Sequence, residues 1–515
     1  MPPNIDYPEP LLTLKLPGGA NILLINDIRE YVTYVILEND DWFEPEIKFV
    51  RSYLQPGMNA LDIGANAGVY ALSMAKCVGE KGYVIAFEPT ARMAALLEKS
   101  VELNGFSNLE VVCAAIGDKA GVSTLINRGV SVANHITAYN ANAKNGSLVK
   151  TYRLDDVITP STARRFDFVK IDTEGSEKAI LEGADNFLKS MSPLIMAEVK
   201  HGNTLDFSII DIFKAHEYKA YRLVPAFDCL VPFTQGEQVD TYLLNLFFVK
   251  KDLEETLAQR GLLIKTLPPN VTTDGLTKWE NILGNFSYGK SFMEEWVQKT
   301  KTKVLPEWKT YERLLNCYLM SRDTQHSLES RFAYLSAAAA GIGQLLDSFS
   351  NVARLLTAAR ICLDFGFRSP AANIIKAIRN AIADGVKIDL SEPFVLQSPD
   401  AELNHQIDNF ISWLNASLYI DFTLLDGFTG MVSKPVKDAA SDYYHNTKYQ
   451  SQKLERKFFV YDQLQSNAAT ARPPMLLTKH TQDNINDEFW SSLIKGDISI
   501  LCGNKSVAFL QQATR

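Results

Sequence analysis

Residues 59–68, N-A-L-D-I-G-A-N-A-G, constrain the fold more than any other part of the chain. A short apolar strand around Ala60, Leu61 and Ile63 carries Asp62 and runs into a turn at Gly64, Ala65, Asn66, Ala67 and Gly68. A helix-like run over 69–78 follows directly. Glycines in such a turn let the backbone come closer to a ligand than a side chain would allow. Open α/β sheets place nucleotide-like ligands at strand–turn–helix units of this kind. A second apolar strand, 83–87, ends in Glu88, 26 residues after Asp62 (88 − 62). An acid there can hold both hydroxyls of a ribose. The plain alternative is a turn that only packs helix on strand, and the co-occurrence of loop and acid speaks against it.

A dinucleotide site asks for G-x-G-x-x-G, whose glycines admit a pyrophosphate at the helix N-terminus. G-A-N-A-G is one glycine short and differently spaced, and no basic residue in the loop would meet a phosphate. A positively charged sulfonium ligand without phosphate suits Asp62 better.

From Ala60 onward, strands near 60–63, 83–87, 109–113, 167–171, 194–199 and 219–224 alternate with helices near 69–78, 91–103, 176–189 and 207–216. That alternation predicts a parallel sheet covered on both faces. A last apolar run, 242–249, has no helix after it and closes the sheet. Upstream, 11–16, 22–25 and 31–37 read as short strands of a β cap (1–41), with a turn at Pro17, Gly18 and Gly19. After Lys250 the texture changes. A linker is expected over 251–277, around Pro268-Pro269, and then an α-helical domain over 278–426. Helical patterns lie at 311–320, 330–349, 351–365, 370–383 and 404–419. The pair within 354–383 weakly resembles a tetratricopeptide-like hairpin, without a second copy. No fold is assigned to 427–515.

Further motifs bring the first half to a family. After D-I-G-A-N-A-G come A-F-E-P at 86–89, A-A-I-G-D at 114–118, Y-R-L-D-D-V at 152–157, K-I-D-T-E-G-S-E at 170–177 and I-L-E-G-A at 180–184. Glu44-Pro45-Glu46 and Asn104-Gly105 complete the series. This ordered set resembles the FkbM family of S-adenosylmethionine-dependent methyltransferases over about residues 42–250. The resemblance implies a Rossmann-like class I methyltransferase domain, with seven strands and the last antiparallel. It implies methyl transfer to oxygen, typically a hydroxyl of a sugar, polyketide or related natural product. For the cofactor it points to Asp62, Gly64, Ala65, Asn66 and Gly68 in the loop, Glu88 at the ribose, Ala115 and Ile116 at the adenine, Glu44 over the amino-acid end, and Asp172.

An alkyl hydroxyl is a poor nucleophile at neutral pH, so a base or a metal is expected beside the acceptor. Asp172 follows the strand 168–171 at its carboxyl end and is the first candidate for base or positioning group. Its plain alternative is a helix-entry acid bonding the turn 173–176. Glu174 is a second candidate. Glu177 is favoured on helix-dipole grounds alone. Glu198 and His201, in A-E-V-K-H-G, end the next strand, and a histidine there would be a natural base. His135 lies in a segment that departs from the family around Ser131 and Asn134. No metal-ligand set is assigned. One alternative is a divalent-metal-assisted transferase with Asp172 and Glu174 as ligands, and another is an inactive scaffold with a methyltransferase fold. Nitrogen methyltransferases acting on bases or amides usually carry [DNS]-P-P-[YFW] after strand four, and I-D-T-E-G stands here instead.

Composition excludes other classes. A formal net charge of −8 with no Lys/Arg block argues against a nucleic-acid partner. The N-terminus lacks the basic and apolar regions of a secretory leader, and the longest uncharged run, 332–346, is too short for a membrane span. A cytoplasmic protein is expected. The partner implied is a small-molecule or glycan acceptor, with a homo-oligomer through the helical half as a further option. Six scattered cysteines form no C-x-x-C unit, and Cys77 and Cys113 are expected to be buried thiols.

Overall fold

The computed structural model describes residues 10–126, 135–137, 146–158, 164–201, 204–237, 239–269, 271, 278–301, 306–343, 351–398, 407, 409–425, 449, 451–465 and 475–500. An antiparallel hairpin of β1 (Leu11–Lys15) and β2 (Asn21–Ile25) opens it. Helices α1 (Tyr31–Asn39) and α2 (Glu46–Tyr53) lead into β3 (Asn59–Ile63), α3 (Val69–Val78), β4 (Tyr83–Phe87), α4 (Ala91–Asn104) and β5 (Leu109–Val112). A small sheet follows, of β6 (Ala115–Ile116), β7 (Gly121–Ile126), β8 (His135–Thr137) and β9 (Gly146–Tyr152). Next come β10 (Phe168–Ile171), β11 (Leu194–Glu198), the short pair β12 (Lys200–His201) and β13 (Thr204–Leu205), then β14 (Tyr218–Val224), β15 (Cys229–Pro232) and β16 (Asn245–Lys250).

The main sheet has the order β5-β4-β3-β10-β11-β16-β14-β15. β5, β4, β3, β10 and β11 are mutually parallel, and β16 runs antiparallel to both β11 and β14. The seven expected strands are present with the last one antiparallel, and β15 adds an eighth at the edge through a hairpin with β14. Winding proceeds outward from β3 to β5 and then returns to β10, so the crevice opens at the carboxyl ends of β3 and β10.

Alternate residues of the central strands feed two cores, as a period of two requires. Leu61, Ile63, Val169, Ile171, Ile195 and Ala197 pack on one face. Ala60, Phe168, Leu194 and Met196 pack on the other, where the apolar cluster runs on without a break into the N-terminal hairpin and the C-terminal helices.

Four expectations are corrected. Residues 31–37 form helix α1, not a strand. Eight of its nine residues are buried, so it lacks the polar stripe that marks a helix, and a short apolar run is ambiguous by period alone. Its cover comes from far along the chain: Arg456 Nε donates to the Glu38 carbonyl at 3.0 Å and Tyr461 Oη to the Glu38 carboxylate at 2.8 Å. The linker does not begin at residue 251. Lys251–Gln259 is a helix with Leu257 fully buried, and Leu262 and Ile264 exchange backbone hydrogen bonds with Leu230 of β15. The helix expected over 176–189 is broken into Glu177–Glu182 and Asp185–Ser190. At the break Gly183 packs against the Gly117 carbonyl oxygen, which a Cβ would approach to 2.2 Å, so only glycine fits there. Cys113 is exposed and Cys77 half-buried, because β5 ends at Val112 and leaves Cys113 in the connection to β6.

Beyond residue 278 the main described elements are helices: Glu280–Leu283, Ser287–Thr300, Pro306–Ser321, Leu328–Ala340, Val352–Phe365, Arg368–Ala383, Phe410–Leu425, Gln452–Gln465 and Asp487–Lys495. Most of 427–515, the linker core 272–277 and the Ser131 and Asn134 positions lie outside the described residues. Among the described residues no helix is long and apolar enough to cross a membrane.

Candidate active site

The loop after β3 is built as its glycines suggest. Gly64 has φ +90, and a Cβ there would stand 1.9 Å from the Asp172 carbonyl oxygen. Gly68 has φ +92 and caps α3, with Leu97 pressed against it. Backbone N–H groups of Gly64 and Ala65 both donate to the Phe87 carbonyl, at 2.9 and 3.0 Å. Glu88 is buried and receives the Asn66 N–H at 2.8 Å and the Thr90 N–H at 2.7 Å, one on each oxygen. A carboxylate has about four lone-pair sites, so each oxygen keeps capacity for a further donor. Ala115 and Ile116 are buried in β6, with Ile116 in the same apolar cluster as Phe87 and Ile63.

Asp62 is fully buried, and neither carboxylate oxygen has a hydrogen-bond partner. Its cation is Lys170 on the adjacent strand, with Nζ 3.8 Å from Oδ1, beyond hydrogen-bond length. Burial raises the Asp62 pKa to about 6, against the opposing pull of Lys170. Glu44 is buried above the same strand ends and accepts from Tyr70 Oη at 2.8 Å. Burial and the nearby Asp172 both raise its pKa.

The other side of the crevice is strongly acidic. Lys170 Nζ holds Asp172 Oδ2 at 2.8 Å, and Asp172 bonds no backbone N–H of the following turn. That task falls to Glu177, whose Oε1 accepts from Thr173 N at 2.8 Å, Thr173 Oγ1 at 2.9 Å and Gly175 N at 3.4 Å. Its Oε2 lies 3.2 Å from His201 Nε2. Glu198 Oε2 lies 3.6 Å from His201 Nδ1, and both of these buried atoms lack a hydrogen-bond partner. Burial, then Asp172, Glu174 and Glu177, push the Glu198 carboxyl well above the usual range. Glu174, at φ +57, brings its carboxylate within 4.8 Å of those of Asp172 and Glu198. Asp172, Glu174 and His201 thus share one cluster, to which Glu198 and Glu177 belong as well. The side chain of His135 lies outside what is described.

The rim is aromatic. Tyr31, Trp42 and Phe43 stand with ring centroids 5.0 to 6.3 Å apart. Over Phe43 and Tyr242, at 5.5 and 5.7 Å, lies the guanidinium of Arg368, which opens the helix Arg368–Ala383. Ser369 beside it donates from N and Oγ to Asp240, both at 2.8 Å. Sequence reasoning weighed Glu198 without assigning it, and missed Tyr70, the aromatic trio and Arg368. Tyr70 was within reach, being two residues past Gly68 on the first turn of α3. Arg368 carried no signal.

The strand order, the antiparallel return of β16 between β11 and β14, and the glycine loop after β3 define a class I methyltransferase fold. Residues 62–222 match the family model described as the methyltransferase FkbM domain. Over those residues the chain is similar to FkbM methyltransferase domains, and the cofactor that this match supports is S-adenosylmethionine. A protein-L-isoaspartate O-methyltransferase from Thermotoga maritima is 37% identical over 60 residues, 12% of this chain and 19% of that protein. The chain therefore spans about a fifth of the length of that relative. The structure of methyltransferase FkbM from Methylobacillus flagellatus aligns at 18% identity, covering 40% of this chain and 50% of that one, with a TM-score of 0.27. A SAM-dependent O-methyltransferase from Thermotoga maritima aligns at 13% identity, covering 46% and 77%, with a TM-score of 0.24.

Proposed function

We propose that the chain is an S-adenosylmethionine-dependent O-methyltransferase that acts on a hydroxyl of a sugar, glycan, polyketide or related small molecule. The observation that carries this reading is Asp62. It is a fully buried carboxylate whose oxygens have no hydrogen-bond partner and whose cation, Lys170, stands 3.8 Å from the nearer one, set between a glycine cradle and an acid–histidine cluster. A buried carboxylate in that state is costly unless a cationic or donor-rich group completes it. The donor set fits the cofactor. Glu88 would take the ribose hydroxyls, Ala115 and Ile116 would flank the adenine, and Gly64, Ala65, Asn66 and Gly68 would admit the backbone-hugging part. Asp62 and Glu44, the latter braced by Tyr70, would face the amino-acid end. When bound, the cofactor supplies an activated methyl group.

The chain's own residues then have two tasks. Asp172, fixed by Lys170, orients the acceptor hydroxyl. Lys170 occupies one of the Asp172 oxygens, and the proton goes to His201, which Glu177 orients through Nε2. Exclusion of water falls to the rim of Tyr31, Trp42, Phe43 and Tyr242, whose apolar faces also suit a sugar ring or polyketide chain.

The test incubates the full chain with methyl-labelled cofactor and a panel of hydroxylated glycans, sugar nucleotides and polyketides. Base-stable label in an acceptor, lost on Asp172→Asn and His201→Ala, is expected. Label that is released by mild base as an ester, or transferred equally by both variants, would overturn transfer to a hydroxyl by these residues.

A further inference from the structure

Four carboxylates converge at the acceptor end of the crevice: Asp172, Glu174, Glu177 and Glu198. Glu44 also faces them, and Lys170 is the buried cation that pairs with the group, through Asp172. These acids are not equivalent. Both Glu177 oxygens are in use, one holding the turn and the other His201. Asp172 has one oxygen committed to Lys170. Glu198 is 9% exposed, and its Oε2 is buried without a hydrogen-bond partner. Ligating oxygens of Asp172, Glu174 and Glu198 lie within 4.8 Å of one another, a spacing that one ion can draw together.

We propose that Asp172, Glu174 and Glu198 bind a hard divalent cation of the magnesium or manganese type, on which the acceptor's oxygen is held. Oxygen-only donors select such ions over softer ones, and the ion keeps water or substrate oxygens in its remaining positions. Glu198 contributes the buried donor, Asp172 the donor steadied by Lys170, and Glu174 the donor nearest solvent. An ion among these oxygens offsets the mutual repulsion of the carboxylates. His201 stays outside the set as the proton acceptor. The location at the acceptor end rests on the O-methyltransferase reading; the binding of the ion does not.

The test is a titration of the full chain, stripped with chelator, with manganese chloride. Calorimetry and the loss of the free-ion paramagnetic resonance signal are followed, with and without cofactor. One saturable site per chain is expected. Glu198→Gln and Asp172→Asn should each weaken it at least about 10-fold, a typical loss for metal-site substitutions, while His201→Ala stays within about threefold of wild type. Cofactor binding by each variant confirms its fold. No saturable binding by the wild type up to about 5 mM, weaker than the loosest natural calcium modules, would overturn the proposal. So would wild-type affinity in Glu198→Gln, or loss of the site in His201→Ala, which would move the ion to Glu177, Glu198 and His201. A chain that binds manganese yet methylates no hydroxyl refutes the O-methyltransferase reading and leaves the ion site standing.

Discussion

Lys170 Nζ lies 2.8 Å from Asp172 Oδ2, and the same ammonium is the cation 3.8 Å from the buried Asp62. Lys170 and Asp172 are two residues apart along β10 and its end, so they share a face. The pairing with β3 sets Lys170 directly opposite Asp62. One ammonium therefore ties Asp62, on the proposed cofactor side of the crevice, to Asp172, on the proposed acceptor side. Replacing Lys170 by Met leaves buried carboxylates uncompensated, which typically costs about 3–5 kcal/mol. Denaturant unfolding at neutral pH should show a loss at the lower end of that range, since Asp172 is partly exposed. A loss below about 1 kcal/mol, the scale of a surface pair, would count against the linking role.

Asp62 should make both stability and cofactor affinity depend on pH. Its folded pKa, about 6, is raised above the ordinary value of 3.8. Between those values the folded chain binds more protons than the unfolded one, so the cofactor-free protein loses stability as pH rises from about 4 to about 6. A cationic ligand favours the ionised form, so affinity should climb over the same upper limb and level off above pH 6. Calorimetry between pH 5 and 8 measures this, and Asp62→Asn should flatten the profile.

The two loop glycines should tolerate substitution differently. Both have positive φ, which costs an L-residue roughly 1–2 kcal/mol. At Gly64 the new Cβ meets the rigid Asp172 carbonyl at 1.9 Å, whereas at Gly68 it meets the movable end of Leu97 at 2.2 Å. Gly64→Ala should therefore lose more thermal stability and more cofactor affinity than Gly68→Ala. The reverse order would show that the loop is held differently.

Arg368 should couple the helical half to the site. Arg368→Ala removes the guanidinium above Phe43 and Tyr242, and Ser369→Ala removes one of the two bonds to Asp240. Cofactor affinity should stay within about twofold of wild type, because neither residue belongs to the cofactor set. Labelled-acceptor assays should instead show a raised KM. An unchanged KM would limit Arg368 to packing.

How much of this was legible follows from how local each signal is. The loop 64–68, Glu88 and the acids after β10 are bounded by short strands with turn residues at fixed offsets, so their neighbourhood is written next to them. Asp172 was identified as a site residue and Lys170 as a partner for one of the acids here, yet the two were not joined, because the same pattern allowed Asp172 to bond the turn that Glu177 in fact holds. Helix α1 failed for a different reason. Its burial depends on Arg456 and Tyr461, more than 400 residues away, and no local periodicity records such a partner. Arg368 is the same case on the functional side.

The account rests on a cofactor cleft closed by Asp62 and Glu88, and calorimetry of the full chain with S-adenosylmethionine and its demethylated product tests that most directly. Saturable one-to-one binding of both is predicted, with Glu88→Ala weakening it at least about 10-fold, the scale of one charge-assisted hydrogen-bonded contact. Absence of binding by the wild type, or undiminished binding after Glu88→Ala, would contradict it.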